Sequence, residues 1–528
     1  MGLVLFLLGL ISLWWGISEL GGLWSVSLLS TVFRDISFEF VYSDLSVTCL
    51  FMLVCCGSVA LFYCYHYFSG SASSDLLYPL MVSFLAVMGL LVGTSNFLSS
   101  LFFWEYLGLV SFFLILFYSN TGSARASLIT LFASRFGDVG LFFLIMVLGG
   151  WLEVSGFVFM LFLLLVVLTK SACYPFISWL LEAMRAPTPV SSLVHSSTLV
   201  AAGVWFFFGY AYVFGDAVLG VLFILSLVTI LVSGVCALVF NDLKKLVALS
   251  TCNNVSWCVV FFICGDLDLA LIQLLTHGVC KCYLFMVVGD LMSQSGGSQS
   301  SVGVYLTRYS GGWGVYLQSV LILSLCGLPF LGVFFSKHFL FLEVLYVFGG
   351  GYIFWLFLGV FLSYCYSFRF VLLLLKGLGG LSLGYVSSFV LISGLSVLGT
   401  VINYLGVWGL SESGVLGLFS SFFLLFIQLG GCLLGWFFFV VGGISLVDGL
   451  GVVCSGLGYS DSMIKGIYNN FLEGGEFSFF SFYRWEVYLF SLGSRLFGVY
   501  DFIRGSFLSF NILVFSLVVF LLVGLFFF

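Results

Sequence analysis

The chain has 528 residues, of which 62% are hydrophobic and only 7% charged, with a formal net charge of −6. A soluble domain carries about 25% charged residues, so this chain lacks the side chains needed to cover a water-facing surface. The acidic balance also argues against a nucleic-acid surface. We expect an all-α, polytopic membrane protein, and at about 20 residues per span the apolar blocks predict roughly 14 to 16 transmembrane helices.

The first three quarters of the chain divide into two predicted parts. Residues 1–43 hold one span near residues 3–17 and then a more polar stretch. Residues 44–375 follow as closely spaced apolar blocks with short polar connections, and they form the predicted core. Strict alternation of polar and apolar residues, which is typical of membrane barrels, is not seen.

The carboxyl-terminal part differs in composition. Residues 376–458 predict further spans, one of them near 416–441, separated by Gly- and Ser-rich stretches. In residues 459–505 charges return, interleaved with aromatic side chains. This pattern favours an amphipathic helix along the membrane surface, with an ordinary solvated loop as the alternative. Residues 506–528 end in an apolar run that predicts a final transmembrane anchor.

The amino-acid usage points to the origin of the chain. Phe (65), Gly (62) and Cys (15) are abundant, whereas Pro (5) and His (4) are scarce. The abundant set uses T- and G-rich codons, which indicates a compact, strand-biased organelle genome. The amino terminus shows neither a cleavable signal nor a transit peptide. The cysteines include no CxxC pair, so we interpret them as buried apolar residues and expect no metal centre.

Prolines mark two predicted breaks in the membrane. Three of them separate one lysine from one histidine, and a fourth precedes another lysine: Lys170, Pro175, Pro187, Pro189, His195, and then Pro329 and Lys337. A proline disrupts a helix, and such breaks are tolerated at membrane depth where they pack in protein or line a wet cavity. Two breaks, one in each half, are typical of the discontinuous helices of inverted-repeat transporters.

Other ionisable side chains lie within apolar stretches. His277 and Lys281 are spaced i, i+4, and Gln273 extends the same helix face. Histidine titrates near neutral pH and a buried lysine is readily tuned, so this face is a candidate proton relay. Glu105 is predicted in mid-span, where its proton affinity would depend on whether a lysine faces it. A static ion pair, or a histidine satisfied within the core, is the structural alternative.

Some charges are interpreted as the ends of spans. Arg135 and Asp138, and the group Asp242, Lys244 and Lys245, fit interfacial anchors, which is the usual role of such charges. The sequence has no phosphate-binding loop or dinucleotide fingerprint, so we expect no nucleotide or redox chemistry in this chain itself.

Several motifs occur together and in order: KSACYPFISWLLEAMRAPTPVSSLVHSSTLVAAG, FFWEYLGLVSFFLI, SRFGDVG, NDLKKLVALST, THGVCKCYLF, LPFLGVFFSK and YSFR. Together they resemble the subunit 5 family of mitochondrial NADH:ubiquinone oxidoreductase, respiratory complex I. The resemblance is strong over about residues 40–375, and it covers the carboxyl-terminal part by position only. It implies an antiporter-like membrane-arm subunit that translocates protons across the mitochondrial inner membrane, encoded in the mitochondrion.

The resemblance also implies roles for particular residues. It assigns a charge pair to Glu105 and Lys170, a central relay to His195, His277 and Lys281, and a terminal proton carrier to Lys337. Arg135, Asp138, Gln273 and His338 are then supporting residues. The family usually has a histidine where Gln273 stands, and an acid where His338 stands. The amphipathic stretch would be a lateral helix that braces the membrane arm.

The implied partners are other membrane-arm subunits, including subunits 2 and 4, and the lipid bilayer, with no nucleic acid. The implied cofactors of the whole complex are FMN, iron–sulfur clusters, NADH and ubiquinone, all in other subunits, and none is expected in this chain. Two alternatives remain at the level of sequence. One is the large subunit of a multisubunit cation/proton antiporter, and the other is a purely structural membrane scaffold.

Overall fold

The computed structural model describes most of the core of the chain. The described residues are 23–27, 37–68, 74–149, 155–264, 267–294, 299–300, 311–328, 333–334, 336–338, 340, 351–375, 418–441, 466 and 469–470. The chain divides into two compact units, Met1–Gly442 and Gly443–Phe528. Every element named below lies in the first unit. The predicted span at 3–17 and the anchor at 506–528 lie outside the described residues, as does the predicted lateral helix apart from three positions.

The described residues form a helical bundle. In chain order the helices are α1 (Asp44–Tyr67), α2 (Ser74–Gly93), α3 (Phe97–Leu116), α4 (Thr121–Leu148), α5 (Gly156–Lys170), α6 (Ser178–Ala183), α7 (Thr188–Leu193), α8 (Leu199–Gly209), α9 (Asp216–Val239), α10 (Leu243–Ile263), α11 (Leu267–Gln294), α12 (Gly311–Cys326), α13 (Ile353–Leu375) and α14 (Leu418–Val441). Within the described part, ten segments are long and apolar enough to cross a membrane. The all-α, polytopic fold class is confirmed.

Two short strands precede the bundle and were not expected from the sequence. Strand β1 (Leu23–Ser27) pairs antiparallel with β2 (Ser37–Val41), with Leu23 opposite Val41. The sequence predicts only a polar stretch here, because five-residue strands leave a weak signal beside the long apolar runs.

Polar side chains define where the first helices begin. The hydroxyl of Ser43 accepts a hydrogen bond from the amide of Ser46 at 3.4 Å, at the start of α1. Before α4, the hydroxyl of Ser123 accepts from the amide of Asn120 at 2.9 Å. The first amides of a helix have no carbonyl partner within the helix, and an apolar medium offers none. These hydroxyl contacts supply the missing partner.

The first predicted break is confirmed between α5 and α8. Helix α5 ends at Lys170, and turns and the short helix α6 lead to Pro187, after which α7 begins. A π-helical turn, Val194–Thr198, then joins α7 to α8. The break is fully enclosed, since the apolar window of Thr188–Gly209 is 100% buried within the protein. An irregular backbone at this depth is acceptable because surrounding protein supplies its hydrogen bonds.

The second predicted break follows α12. The helix ends at Cys326, and Gly327 adopts a positive φ of 94°, which a residue with a side chain rarely adopts. The amide of Val333 donates to the carbonyl of Ser324 at 3.1 Å, and the amide of Lys337 donates to that of Val333 at 3.2 Å. At Val333 the backbone thus lies beside the end of α12 again, and it is helical at Lys337. Pro329 lies outside the described residues.

The helices differ in how deeply they are buried. The apolar windows of α10 and of the α7–α8 segment are 89% and 100% buried, whereas those of α4 and α14 are 28% and 22% buried. Helix α10 and the α7–α8 segment therefore lie at the centre of the bundle, and α4 and α14 present most of their surface outward. This arrangement places the polar face of α11, which packs against both central elements, in the interior.

Candidate functional site

Lys170 is the last residue of α5 and is only 1% exposed. Its Nζ donates to the carbonyl of Trp104 at 3.4 Å and lies 5.1 Å from the centre of the Trp104 ring. Gly108, one turn further along α3, lies beside the ammonium, since an added Cβ would be 3.8 Å from Nζ, an ordinary contact distance. No carboxylate of the described residues comes within 4 Å of it. A carbonyl and an aromatic face therefore hold this charge directly.

Glu105 does not contact Lys170 directly. Its side chain is 51% exposed, and its Oε2 lies 3.4 Å from Nη1 of Arg135. The same guanidinium nitrogen lies 3.2 Å from Oδ2 of Asp138, whose side chain is only 4% exposed. Among the charged groups around Lys170, Asp138 has the strongest electrostatic effect on the lysine and Glu105 the weakest. Arg135 therefore links the outward-facing glutamate to a buried aspartate beside the lysine.

The interpretation of Arg135 and Asp138 as residues at a span end is wrong. Both lie near the middle of the 28-residue helix α4. The helix runs through this point because its apolar pattern continues on both sides of the charged pair. Next to Asp138, Gly137 packs so closely that an added Cβ would lie 2.4 Å from Oγ1 of Thr169. This close approach holds α4 against the end of α5.

A cavity joins Lys170 to His195. It has a volume of about 10 Å³, room for about one water molecule, and its polar lining includes Ser111, Thr130, Ser134, Thr169, Lys170 and His195. His195 lies in the π-helical turn and is fully buried. Its ring faces the backbone carbonyl of Ala183, and its nitrogens form no hydrogen bond of good geometry with a described residue. A buried imidazole facing a hydroxyl-lined space is suited to exchange protons through water.

The predicted face of α11 is buried as a continuous stripe. Gln273 and His277 are 0% exposed and Lys281 is 2% exposed. Lys281 donates from Nζ to the hydroxyl of Ser250 on α10. Neither ring nitrogen of His277 hydrogen-bonds to a described residue. Oε1 of Gln273 accepts from the hydroxyl of Ser336 at 2.9 Å. The stripe thus reaches from the centre of the bundle to the second break.

Lys337 lies in the second break and is 5% exposed. Its Nζ donates to the carbonyl of Cys326 at 2.9 Å and lies 5.4 Å from the ring centre of Trp257. One cavity borders Lys281 and Cys326 and a second borders Cys326 and Lys337, each of about 10 Å³, with room for about one water molecule. His338 lines the second cavity as well. Cys326 therefore stands between the spaces around these two lysines.

Six of the predicted residues are buried within the bundle, and they are here called the polar row: Asp138, Lys170, His195, His277, Lys281 and Lys337. Sequence reasoning missed Trp104, Ser250 and Trp257, which hold the lysines, because serine and tryptophan are common in all membrane helices. Lys244 was interpreted as an anchor, yet it is 5% exposed and donates to the carbonyl of Ala186 at 3.1 Å. Among the described residues, no group of three or more His, Cys, Asp or Glu side chains could hold a metal ion.

Comparison with known proteins shows which family the chain is similar to. A sequence model of the transmembrane region of the NADH:quinone oxidoreductase/Mrp antiporter family matches residues 94–365. The chain is 31% identical over 438 residues to NADH-ubiquinone oxidoreductase chain 5 of Aedes aegypti, covering 79% of this chain and 70% of that protein. It is 34% identical over 392 residues to the chain of the same name from Caenorhabditis elegans, covering 70% and 72%.

Solved structures show the same fold. The Mrp complex from Dietzia sp. DQ12-45-1b includes a chain that superposes with a TM-score of 0.71 at 23% identity, covering 93% of this chain and 59% of that one. The membrane-bound sulfane sulfur reductase, an archaeal respiratory membrane complex, gives a TM-score of 0.63 at 16% identity, covering 80% and 88%. The chain belongs to the NADH:quinone oxidoreductase/Mrp antiporter family, and it groups there with the proteins named chain 5 of NADH-ubiquinone oxidoreductase.

Proposed function

We propose that the polar row is the path by which this chain moves protons, as a proton-translocating membrane-arm subunit of NADH:ubiquinone oxidoreductase. The observation that carries the proposal is the environment of Lys170, Lys281 and Lys337. All three are at least 95% buried, and none has a carboxylate of the described residues within 4 Å. Cavities and hydroxyl groups adjoin each of them.

The energetics favour a transfer path over a purely structural role. A buried ammonium with no carboxylate in direct contact is costly in a low-dielectric interior, and a scaffold gains nothing from keeping three. A lysine in such a position can lose and regain its proton, because burial opposes the charged form while the nearby oxygens favour it. Each lysine of the polar row can thus hold a proton or pass it on.

Asp138, Arg135 and Glu105 regulate the first lysine in this proposal. The carboxylate of Asp138 stabilises the charged form of Lys170, and Arg135 opposes it. If Arg135 shifts its pairing from Asp138 toward Glu105, the carboxylate of Asp138 is freed to act on the lysine. Glu105, which is half exposed at the side of the bundle, is the group through which an adjoining subunit would influence this balance.

Electron transfer belongs to other parts of the assembly. We propose that NADH, FMN, iron–sulfur clusters and ubiquinone react in other subunits, and that this chain is bound to membrane-arm subunits 2 and 4 and to lipid. It is a multi-pass membrane protein of the mitochondrial inner membrane in this proposal, encoded in the mitochondrion as the codon bias indicates. Residues 459–505 would form a lateral helix along the arm. Deleting the chain after Val453 should then weaken its retention in the solubilised complex on native gels.

The second candidate function is that of a large subunit in a cation/proton antiporter. The TM-score of 0.71 to a chain of an Mrp complex favours a shared fold, at an identity that supports no more than the fold. The two functions differ in what drives transport. NADH oxidation drives proton release in the proposed function, whereas a sodium or potassium gradient would drive it in an antiporter.

The test replaces Lys281 with methionine in the assembled complex, reconstituted into sealed vesicles. Lys281→Met keeps the length of the side chain and removes its proton site, so proton release per NADH oxidised should fall while assembly persists. The matched control is Lys245→Met, because Lys245 is a half-exposed lysine paired with Asp242 at 3.3 Å, outside the polar row. Unchanged release in assembled Lys281→Met would refute the proposal, and release driven by a sodium gradient without NADH would favour the antiporter.

A further inference from the structure

A second polar cluster lies at one end of the bundle, apart from the polar row. Tyr63 and His66 occupy the last turns of α1, and Asp290 occupies the last turns of α11. The hydroxyl of Tyr63 donates to Oδ1 of Asp290 at 2.9 Å, and Nε2 of His66 lies 3.4 Å from Oδ2. The side chain of Asp290 is 3% exposed and that of His66 is 42% exposed. One member of the cluster thus meets the surroundings while its partner is buried.

The cluster adjoins the start of α7. A Cβ added to Gly289 would lie 2.7 Å from the hydroxyl of Tyr63 and 2.8 Å from Oγ1 of Thr188, so these two oxygens converge on the glycine. Thr188 is 1% exposed, and its hydroxyl lies within hydrogen-bonding reach of the hydroxyl of Tyr63. Buried hydroxyls are almost always partnered by protein or water, and this contact connects the cluster to the start of α7.

A short route leads from Thr188 to the polar row. Helix α7 begins at Thr188, and His195 follows seven residues later in the π-helical turn, about 10 Å along the helix axis. Ser191 and Ser192, between them, are both 0% exposed. The hydroxyls of Thr188, Ser191 and Ser192 are therefore the polar side chains that separate the cluster from the first imidazole of the polar row.

The charges of the described residues assign this end of the bundle to one side of the membrane. Contacts place the start of α4, the residues before α7 and the start of α10 there: a Cβ on Gly122 would lie 2.6 Å from Arg185, and Lys244 donates to Ala186. Five Lys and Arg side chains of the described residues share this end: Arg125, Arg185, Lys244, Lys245 and Arg369, which donates to the carbonyl of Phe240. At the opposite end, residues 209–217 and 263–268 contain no Lys or Arg. The positive-inside rule therefore puts the cluster on the matrix side.

We propose that Tyr63, His66 and Asp290 form the port through which this chain takes up protons from the matrix. The proposal rests on the proposed function above. Nε2 of His66 takes a proton from hydronium, releasing water, and passes it to Oδ2 of Asp290, which leaves a neutral imidazole and a neutral carboxyl group. The carboxyl group and the hydroxyl of Tyr63 then turn, so that the carboxyl proton bonds to the tyrosine oxygen while the former tyrosine proton bonds to Oγ1 of Thr188. Thr188 releases its own hydroxyl proton along α7 to an imidazole nitrogen of His195. Each step breaks one O–H or N–H bond and forms another, with no other reactant.

The test uses the assembled complex in sealed vesicles, with proton release measured against NADH oxidation. We expect Asp290→Asn to lower the rate of proton transfer about tenfold, less than the ~10²-fold that one positioned acid or base typically supplies, because water can replace it in part. His66→Gln, at a half-exposed site that tolerates substitution, should lower it less. Millimolar azide, a small weak acid that carries protons, should restore transfer in Asp290→Asn. The matched control is Asp268→Asn, the same change at the exposed opposite end of α11.

The outcomes separate this inference from the proposed function. If Lys281→Met stops proton release while Asp290→Asn and His66→Gln pump normally, the port is refuted and the polar row stands. If Lys281→Met also pumps normally, the proposed function itself fails. A loss in Asp290→Asn that azide does not restore, together with normal pumping in His66→Gln, would assign Asp290 a structural role and overturn the port.

Discussion

Lys170, at the first break, lies among three charged side chains, whereas Lys281 and Lys337, near the second break, donate their hydrogen bonds to neutral oxygens. The first lysine therefore responds to changes in neighbouring charge. The other two respond mainly to the arrangement of dipoles and to water in the cavities around them. In the proposed function, a single chain thus combines a charge-controlled proton site with two sites controlled by solvation.

The burial of the surrounding helices fits this difference. Asp138, Arg135 and Glu105 lie on α3 and α4, and α4 is largely exposed at the side of the bundle. Lys281 lies on α11, against the enclosed helix α10, and is only 2% exposed. Control from a neighbouring subunit is therefore expected at the first lysine and not at Lys281.

The largest effect is expected from removing a solvation-controlled site. Lys337→Met should lower proton release by this chain by about 10²-fold or more, since a single positioned proton-transfer group supplies about that much. The side chain length is retained and only the proton site is lost. Release by reconstituted complex, normalised to NADH oxidation, is the measurement. Lys337→Arg gives the contrast: it retains the charge but cannot release its proton, so normal pumping in that variant would show that only charge is needed.

The next effect tests charge control at the first break. Asp138→Asn should impair proton release more than Glu105→Gln, because the aspartate is buried and acts more strongly on Lys170. Both substitutions preserve shape and remove one negative charge. The comparison is the ratio of the two rates of proton release in complexes with equal subunit content. A larger loss in Glu105→Gln would mean that the glutamate turns inward to pair with the lysine during turnover.

A stability effect tests how tightly the first break is packed. A Cβ added to Gly203 on α8 would lie 2.6 Å from the backbone amide of Ser171, next to Lys170. Backbone cannot move aside as a side chain can, so Gly203→Ala should destabilise the fold by about 1–3 kcal/mol. Thermal unfolding of the solubilised complex is the measurement. Gly215→Ala, where an added Cβ meets nothing within 4 Å, is the control, and equal melting curves would show that the break adjusts freely.

The smallest effect is expected at Gln273. Gln273→His should leave proton release close to that of the unchanged chain, since it adds a titratable group on the same helix face as His277. The glutamine accepts a hydrogen bond from Ser336, and an imidazole nitrogen can accept one in its place. Proton release in sealed vesicles is again the readout. A severe loss would show that the amide has a role of its own in holding the second break.

Sequence reasoning found the two breaks and the stripe on α11 because prolines, isolated charges and i, i+4 spacing are local signals. It placed Arg135 and Asp138 at a span end, because charge within a sequence does not reveal where a long helix begins. It also expected Glu105 to face Lys170. The rotation of α3 about its axis, which turns the glutamate outward toward Arg135, is set by packing with α4 and leaves no trace in spacing.

The sequence by itself determined the membrane-spanning helical class and the family, since hydropathy and short motifs are properties of the chain in one dimension. Only the tertiary structure decided which polar groups meet. Tyr63 and Asp290 are 227 residues apart along the chain, and Lys281 and Ser250 lie on different helices. Their contacts arise because packed helices must bury polar groups against one another where neither water nor lipid can satisfy them.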